Sequence, residues 1–154
     1  MSAADFDVDL LEGLALDLAA GGIASWSPEG GTYAPPQFPT DVVGTFLMTV
    51  PGSPDRIVSL ASYLVSDDPS QAMSVMGVQV RTRWAGGDPR AVMRLSGAIF
   101  DRWHGRSNWT LTSGVTISQC LRKSGSTMGQ DGSKRWGWSD NYYLDVNRPG
   151  DNRY

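Results

Sequence analysis

The 154-residue chain, 16.7 kDa, is long enough for one domain with its own apolar core and too short for two ordinary ones. Apolar residues make up 40% and charged residues 19%, and six residues are Trp, a mix that excludes a disordered chain. A formal charge of -3 disfavours a protein whose main work is gripping phosphate backbones; the lone Cys120 and lone His104 exclude an intrachain disulfide, a Cys-rich zinc site and any multi-histidine metal centre.

The spacing predicts a helix over residues 5–20. Val8, Leu11, Ala15 and Leu18 recur at helical intervals, Leu10 and Leu14 widen that face, and Gly21-Gly22 supplies the stop. No stretch approaches the roughly 20 apolar residues of a membrane-spanning helix. The acidic start, with Asp5 and Asp7, is unlike a secretory leader, so synthesis and folding in a cytoplasm are expected. Trp26 to Thr40 holds Pro28, Pro35, Pro36 and Pro39 with Gly30-Gly31, the composition of a loop or extended arm. Loops of that length inside a compact domain are uncommon and often functional.

Apolar runs at residues 42–50 and 57–65 read as strands, with a turn over residues 51–55 between them. In the next strand Met76, Val78, Val80 and Trp84 form a buried face and Gly77, Gln79, Arg81 and Arg83 the opposite one. Asp88-Pro89 begins a second helix whose buried stripe is Val92, Leu95, Ile99 and Trp103. Arg90, Arg94 and Arg102 face outward from it, and His104-Gly105 ends it. Two more strands follow. Val115, Ile117 and Leu121 share one face of the first; Trp136, Trp138, Tyr142, Leu144 and Val146 share one face of the second, broken only by Asp140. The polar residues 124–135 between them read as a long projecting loop.

This order predicts an α+β fold: a small mixed, mainly antiparallel β-sheet packed against two main helices, with a long projecting hairpin loop. A single domain should occupy residues 1–154, with 1–4 and 147–154 flexible. If both helices lie on one face, the other stays exposed or is covered by further chains.

Candidates for chemistry give way to plainer readings. Asp67-Asp68 before Pro69-Ser70 is ordinary turn and cap chemistry, since adjacent strand residues point to opposite faces. His104 with Asp101 lacks a nucleophile and an oxyanion partner nearby, and Cys120 in a strand reads as a small core filler. Gly125 to Gly132 lacks the spacing of a phosphate-binding loop. The residues themselves point to a non-enzymatic domain that works through surfaces, with no cofactor and no metal.

Val65 to Ser70 leading into Ser74 to Arg83 resembles the central signature of the tail terminator (minor capsid) proteins of long-tailed phages, especially those of actinobacteria. Asp88-Pro89-Arg90 leading to Ile99 to Gly105, and the closing Asn141 to Pro149, fit the same pattern, so the resemblance runs from about Leu10 to Pro149. Trp84, Trp103 and Trp136-Gly137-Trp138 depart from it. The resemblance implies a virion protein assembled in the host cytoplasm: a six-copy ring that ends tail-tube growth at the head-proximal end. It further implies three partners (other copies of itself, the tail tube protein and the head-tail connector or stopper), no membrane, and DNA passing through the lumen without specific binding. Other structural roles consistent with the residues are a head-completion protein or a tube subunit; a small enzyme using His104 is the remaining alternative.

Loop length, charge and strand alternation nominate the contact residues. Tyr33, Pro35, Pro36 and Phe38 on the Pro-rich arm are candidates for axial contacts, as are Ser124, Met128, Gln130, Asp131, Lys134 and Arg135 on the hairpin loop. Arg81 and Arg83 are candidates for lateral pairing with a neighbour's carboxylates.

Overall fold

A computed structural model describes residues 3–27, 42–68 and 71–150. Helix α1 (Phe6–Ala20) is followed by β1 (Gly44–Leu47), β2 (Ile57–Asp67), β3 (Met73–Ala85), α2 (Arg90–Trp103), β4 (Ser107–Thr110), β5 (Thr116–Gln130) and β6 (Arg135–Asn147). The six strands form one sheet in the order β1-β2-β3-β6-β5-β4. β1 runs parallel to β2 and every other pairing is antiparallel. The α+β expectation therefore holds, with β4 as an additional edge strand.

Both helices cover the same face. α1 lies over β1 and β2, and α2 over β3, β6 and β5. Alternation along each strand sorts the side chains. Val58 and Leu60 of β2, Met76, Val78 and Val80 of β3, and Tyr142, Leu144 and Val146 of β6 point into the helix layer and are buried. The stripe expected on α2 is observed: Val92, Leu95, Ile99 and Trp103 are all buried. On α1 the buried set is shifted from the expected one. Phe6, Leu10, Leu14 and Leu18 are fully enclosed and Leu11 and Ala15 join them, whereas Val8 is 51% exposed. Leu10 and Leu14, which only widened the expected face, lie at its centre with Leu18.

Two carboxylates hold these layers together. Asp17 of α1 accepts Arg102 Nε at 2.8 Å and Nη2 at 3.0 Å, Trp103 Nε1 at 2.8 Å, and Arg106 Nη1 at 3.2 Å. Arg102 is thus drawn into a bond between the helices rather than left facing solvent. Asp140, the polar break of β6, is 1% exposed and sits under α2. It accepts a hydrogen bond from Ser96 Oγ of α2 and one from Trp138 Nε1 at 3.0 Å, with Arg122 Nη1 at 3.8 Å. A buried charge survives only with such partners. Beside it, burial and the Asp140 charge both push the Tyr142 phenol above its ordinary pKa.

The long hairpin loop is not observed. β5 runs to Gln130 and β6 begins at Arg135, so residues 124–130 and Arg135 belong to paired strand and only residues 131–134 turn. Asp131 closes the turn, its carboxylate accepting the N–H of Ser133 at 2.8 Å and of Arg135 at 3.0 Å. Small polar residues had suggested a loop, but two register shifts, at Arg122/Ser124 and Thr127/Gly129, take up the irregular composition within the ladder. The chain end is also anchored further than expected. Asn147 pairs with Met73, and Arg148 donates its N–H to Ala72 and its guanidinium to Asp7 while lying over the Phe6 ring.

Burial raises the Asp17 pKa, but the bonds from Arg102 and Trp103 and the charges of Arg102 and Arg106 outweigh it, so the net shift is downward. Its folded pKa lies below its unfolded one, so its stabilisation is complete above the unfolded value and lost as pH falls through the folded value. Asp17→Asn should therefore cost about 2 kcal/mol at neutral pH. The difference from the unmodified protein should shrink toward zero in acid, as followed by urea unfolding across a pH series. A second expectation concerns Gly125, where an added Cβ collides with the Asp140 carboxylate. Gly125→Ala and Asp140→Ala should each destabilise by roughly 2–3 kcal/mol, and the double variant by clearly less than the sum, because both act on one carboxylate.

Candidate assembly surface

The face of the sheet opposite the helices has no second layer among the described residues. Residues 49–55 cover only its β2 corner, where Ser59 Oγ bonds Thr49 O at 2.5 Å and Ile57 is 1% exposed. Across the rest, β2 presents Ser59, Ala61 and Tyr63, β3 presents Gly77, Gln79 and Arg81, and β6 presents Ser139, Asn141 and Tyr143. The Tyr63 ring lies over Gly77, in space a side chain there would fill. Its hydroxyl donates to Asn141 Oδ1 at 3.0 Å, and Asn141 Nδ2 donates to Ser124 Oγ at 3.1 Å. A polar ribbon therefore crosses from β2 to β5. Burial and the neighbouring Tyr143 raise the Tyr63 pKa.

Arg81 and Arg83, expected as a pair, have different positions. Arg83 is 8% exposed, and its guanidinium donates to the carbonyls of Pro54 at 2.8 Å and Asp55 at 3.1 Å. Burial and the adjacent Arg135 charge lower its pKa. It is held inside the molecule and is not free to pair with a neighbour. Arg81 is half-buried, points onto the uncovered face and makes no hydrogen bond or ion pair with a described residue.

The hairpin residues Ser124, Met128, Gln130, Asp131, Lys134 and Arg135 are brought together on β5, β6 and their turn. Arg135 bonds Asp131 at 2.9 Å and reaches Gly52 O at 2.6 Å, tying the hairpin to the 49–55 segment. Gln130 Nε2 donates to Lys134 O. Met128 sits in the second register shift, against Gly137, and is half exposed. Val50, Arg81 and Met128 line one hollow on this face, and Met48, Val50 and Arg81 an adjoining one. Residues 42–50 read as one strand, but β1 ends at Leu47 and leaves Met48 and Val50 exposed. Met48 instead adopts a φ of 62°, rare for a side chain of its size, and is 65% exposed. Tyr33, Pro35, Pro36 and Phe38 lie outside the described residues.

The groups considered for catalysis are engaged elsewhere. His104 stacks on Phe100 and its Nδ1 accepts the N–H of Arg122 at 3.0 Å. Asp67 accepts the Ser74 hydroxyl. Cys120 is fully buried, and burial pushes its thiol pKa up to about 12. Among the described residues no three metal-ligating side chains gather, and no helix is long and apolar enough to cross a membrane.

A family model described as bacteriophage tail terminator protein matches residues 18–148. No curated protein matches the chain. Among solved structures, a chain from the virion of a native gene transfer agent particle superposes with a TM-score of 0.55 at 13% identity, covering 66% of this chain and 77% of that one. At that identity the likeness is one of fold. With most of its length inside the family match, the chain belongs to the bacteriophage tail terminator proteins, structural components of phage tails.

Proposed function

We propose that six copies close into a ring on the head-proximal end of the tail tube, stop its polymerisation, and present a docking face to the head-tail connector. Family membership over residues 18–148 is the observation that carries this reading. A chain of this length packs to a radius of gyration of roughly 15 Å, equivalent to a sphere of radius about 19 Å. Six touching spheres leave a central opening of roughly 38 Å, wide enough for a duplex, whereas three leave only about 6 Å. Closure requires each copy to offer its neighbours two different patches. Capping requires one ring face to match the tube end and the other to refuse a further tube subunit. The net charge of -3 suits a conduit through which DNA slides, since a strongly basic lumen would hold phosphates.

Phage lacking this chain should produce overlong tails without attached heads, as seen by electron microscopy. A complete loss of tails would indicate a tube subunit instead, and tails of normal length joined to filled heads would end the proposal. Met128→Ser with Lys134→Asn, exposed changes that keep the β5–β6 ladder, should leave a folded protein that no longer limits tail length; normal tails from that variant would remove the hairpin from the mechanism. His104→Ala should complement a null mutant fully, whereas an enzyme relying on this side chain would lose activity.

A further inference from the structure

The two helices differ in a way that the isolated subunit does not explain. α2 is amphipathic, with one apolar stripe turned to the sheet. α1 carries apolar side chains on both sides: Leu10, Leu14 and Leu18 face inward, yet Val8 and Leu16 on the outside are 51% and 42% exposed. Its outer face is also acidic. Asp5, Asp9, Glu12 and Leu16 fall at successive three- and four-residue steps, so they share one stripe beside Val8. Asp5, Asp9 and Glu12 form no ion pair with any described residue.

The uncovered sheet face shows the complementary character. Arg81 stands there without a partner among the described residues, while the nearby guanidiniums of Arg83 and Arg135 are balanced by the carboxylates of Asp55 and Asp131. Around Arg81 lie the exposed apolar side chains of Met48, Val50 and Met128. One surface is therefore acidic with exposed Val and Leu, and the other carries the unpaired Arg81 with exposed Met and Val. The α1 stripe and Arg81 lie on opposite layers of the subunit, as a head-to-tail contact needs, while Val8 and Met48 line a hollow at the edge between them. α1 spans about 22 Å, enough to cross the four strands from β2 to β5.

We propose that the outer face of α1 from one copy packs onto the uncovered sheet face of the next, its carboxylates meeting Arg81 and its Val8 and Leu16 meeting Met48, Val50 and Met128. This contact rests on the ring reading above and gives that ring its lateral interface. It assigns Met128 to the contact between copies rather than to the tube. The apolar patches supply burial, while the charges set orientation and reject the reverse docking.

The test uses charge exchange in the full chain. Arg81→Glu, and separately the triple change Asp5→Lys, Asp9→Lys and Glu12→Lys, should each weaken ring assembly at least tenfold. Assembly is read by sedimentation of the protein alone and by the number of copies bound to purified tail tubes. Arg81→Glu changes a group without an ion-pair partner in the subunit, so its unfolding midpoint should match the unmodified protein; the triple change also sets lysines at the N-terminus of α1, so a lowered midpoint there redirects the measurement to Glu12→Lys. All four changes in one chain should restore rings. Unchanged assembly in both variants, or loss without recovery in the combined chain, would overturn this interface while leaving the ring intact. Failure of the unmodified protein to form a ring, free or on tubes, would take down both.

Discussion

The arrangement of the whole subunit depends on four donors meeting one carboxylate. Arg102, Trp103 and Arg106 all reach Asp17, so the end of α2 and the segment after it are fastened to α1. Both helices are thereby committed to one face of the sheet, and the charge that does this is shielded enough to act strongly but close enough to water to remain ionised. Val58, Leu60, Met76, Val78, Val80, Tyr142, Leu144 and Val146 on that side are enclosed, and the opposite side receives only the short segment 49–55. A two-layer protein with one bare sheet face is ordinary when that face is polar. Here it is polar at the centre, where Tyr63, Asn141 and Ser124 bond to one another, and apolar with an unpaired guanidinium at one corner.

Much of this architecture was readable from residue order. The α2 stripe, its Asp88-Pro89 start and the two-faced β3 strand follow from local periodicity, which survives in any packing. The Asp88 carboxylate indeed accepts the N–H of Arg90 at 3.0 Å. Elements governed by distant partners were less legible. β4 has four residues and exists because β5 lies beside it. The parallel pairing of β1 with β2 depends on the path of residues 48–56, which composition does not encode. The 124–135 segment looked like a loop because its Gly, Ser and Asp carry little strand preference; its conformation comes from pairing with β6, itself fixed by β3.

The surface was legible in charge and not in geometry. Arg81 and Arg83 alternate identically along β3, yet one stands half-buried on the uncovered face and the other is consumed by the carbonyls of Pro54 and Asp55. No one-dimensional pattern separates them, because the difference lies in where a loop from β1 passes. The Tyr63–Gly77 contact left a visible signal, an aromatic residue opposite a glycine on the paired strand, but only once the register was known. The acidic outer stripe of α1 was visible as a first-turn cluster that suits the helix dipole; its continuation to Glu12 and Leu16 is what distinguishes it.

The register shifts in β5 carry a consequence for how such a chain can diverge over generations. Each shift inverts the alternation beyond it, so Thr127 and Gln130 face one way and Ser126 and Gly129 the other. Gaining or losing a single residue between Ile117 and Gln130 would turn the rest of the strand inside out, placing Met128 against the interior. Natural variation in the length of this arm should then come in twos, or in ones accompanied by a compensating kink.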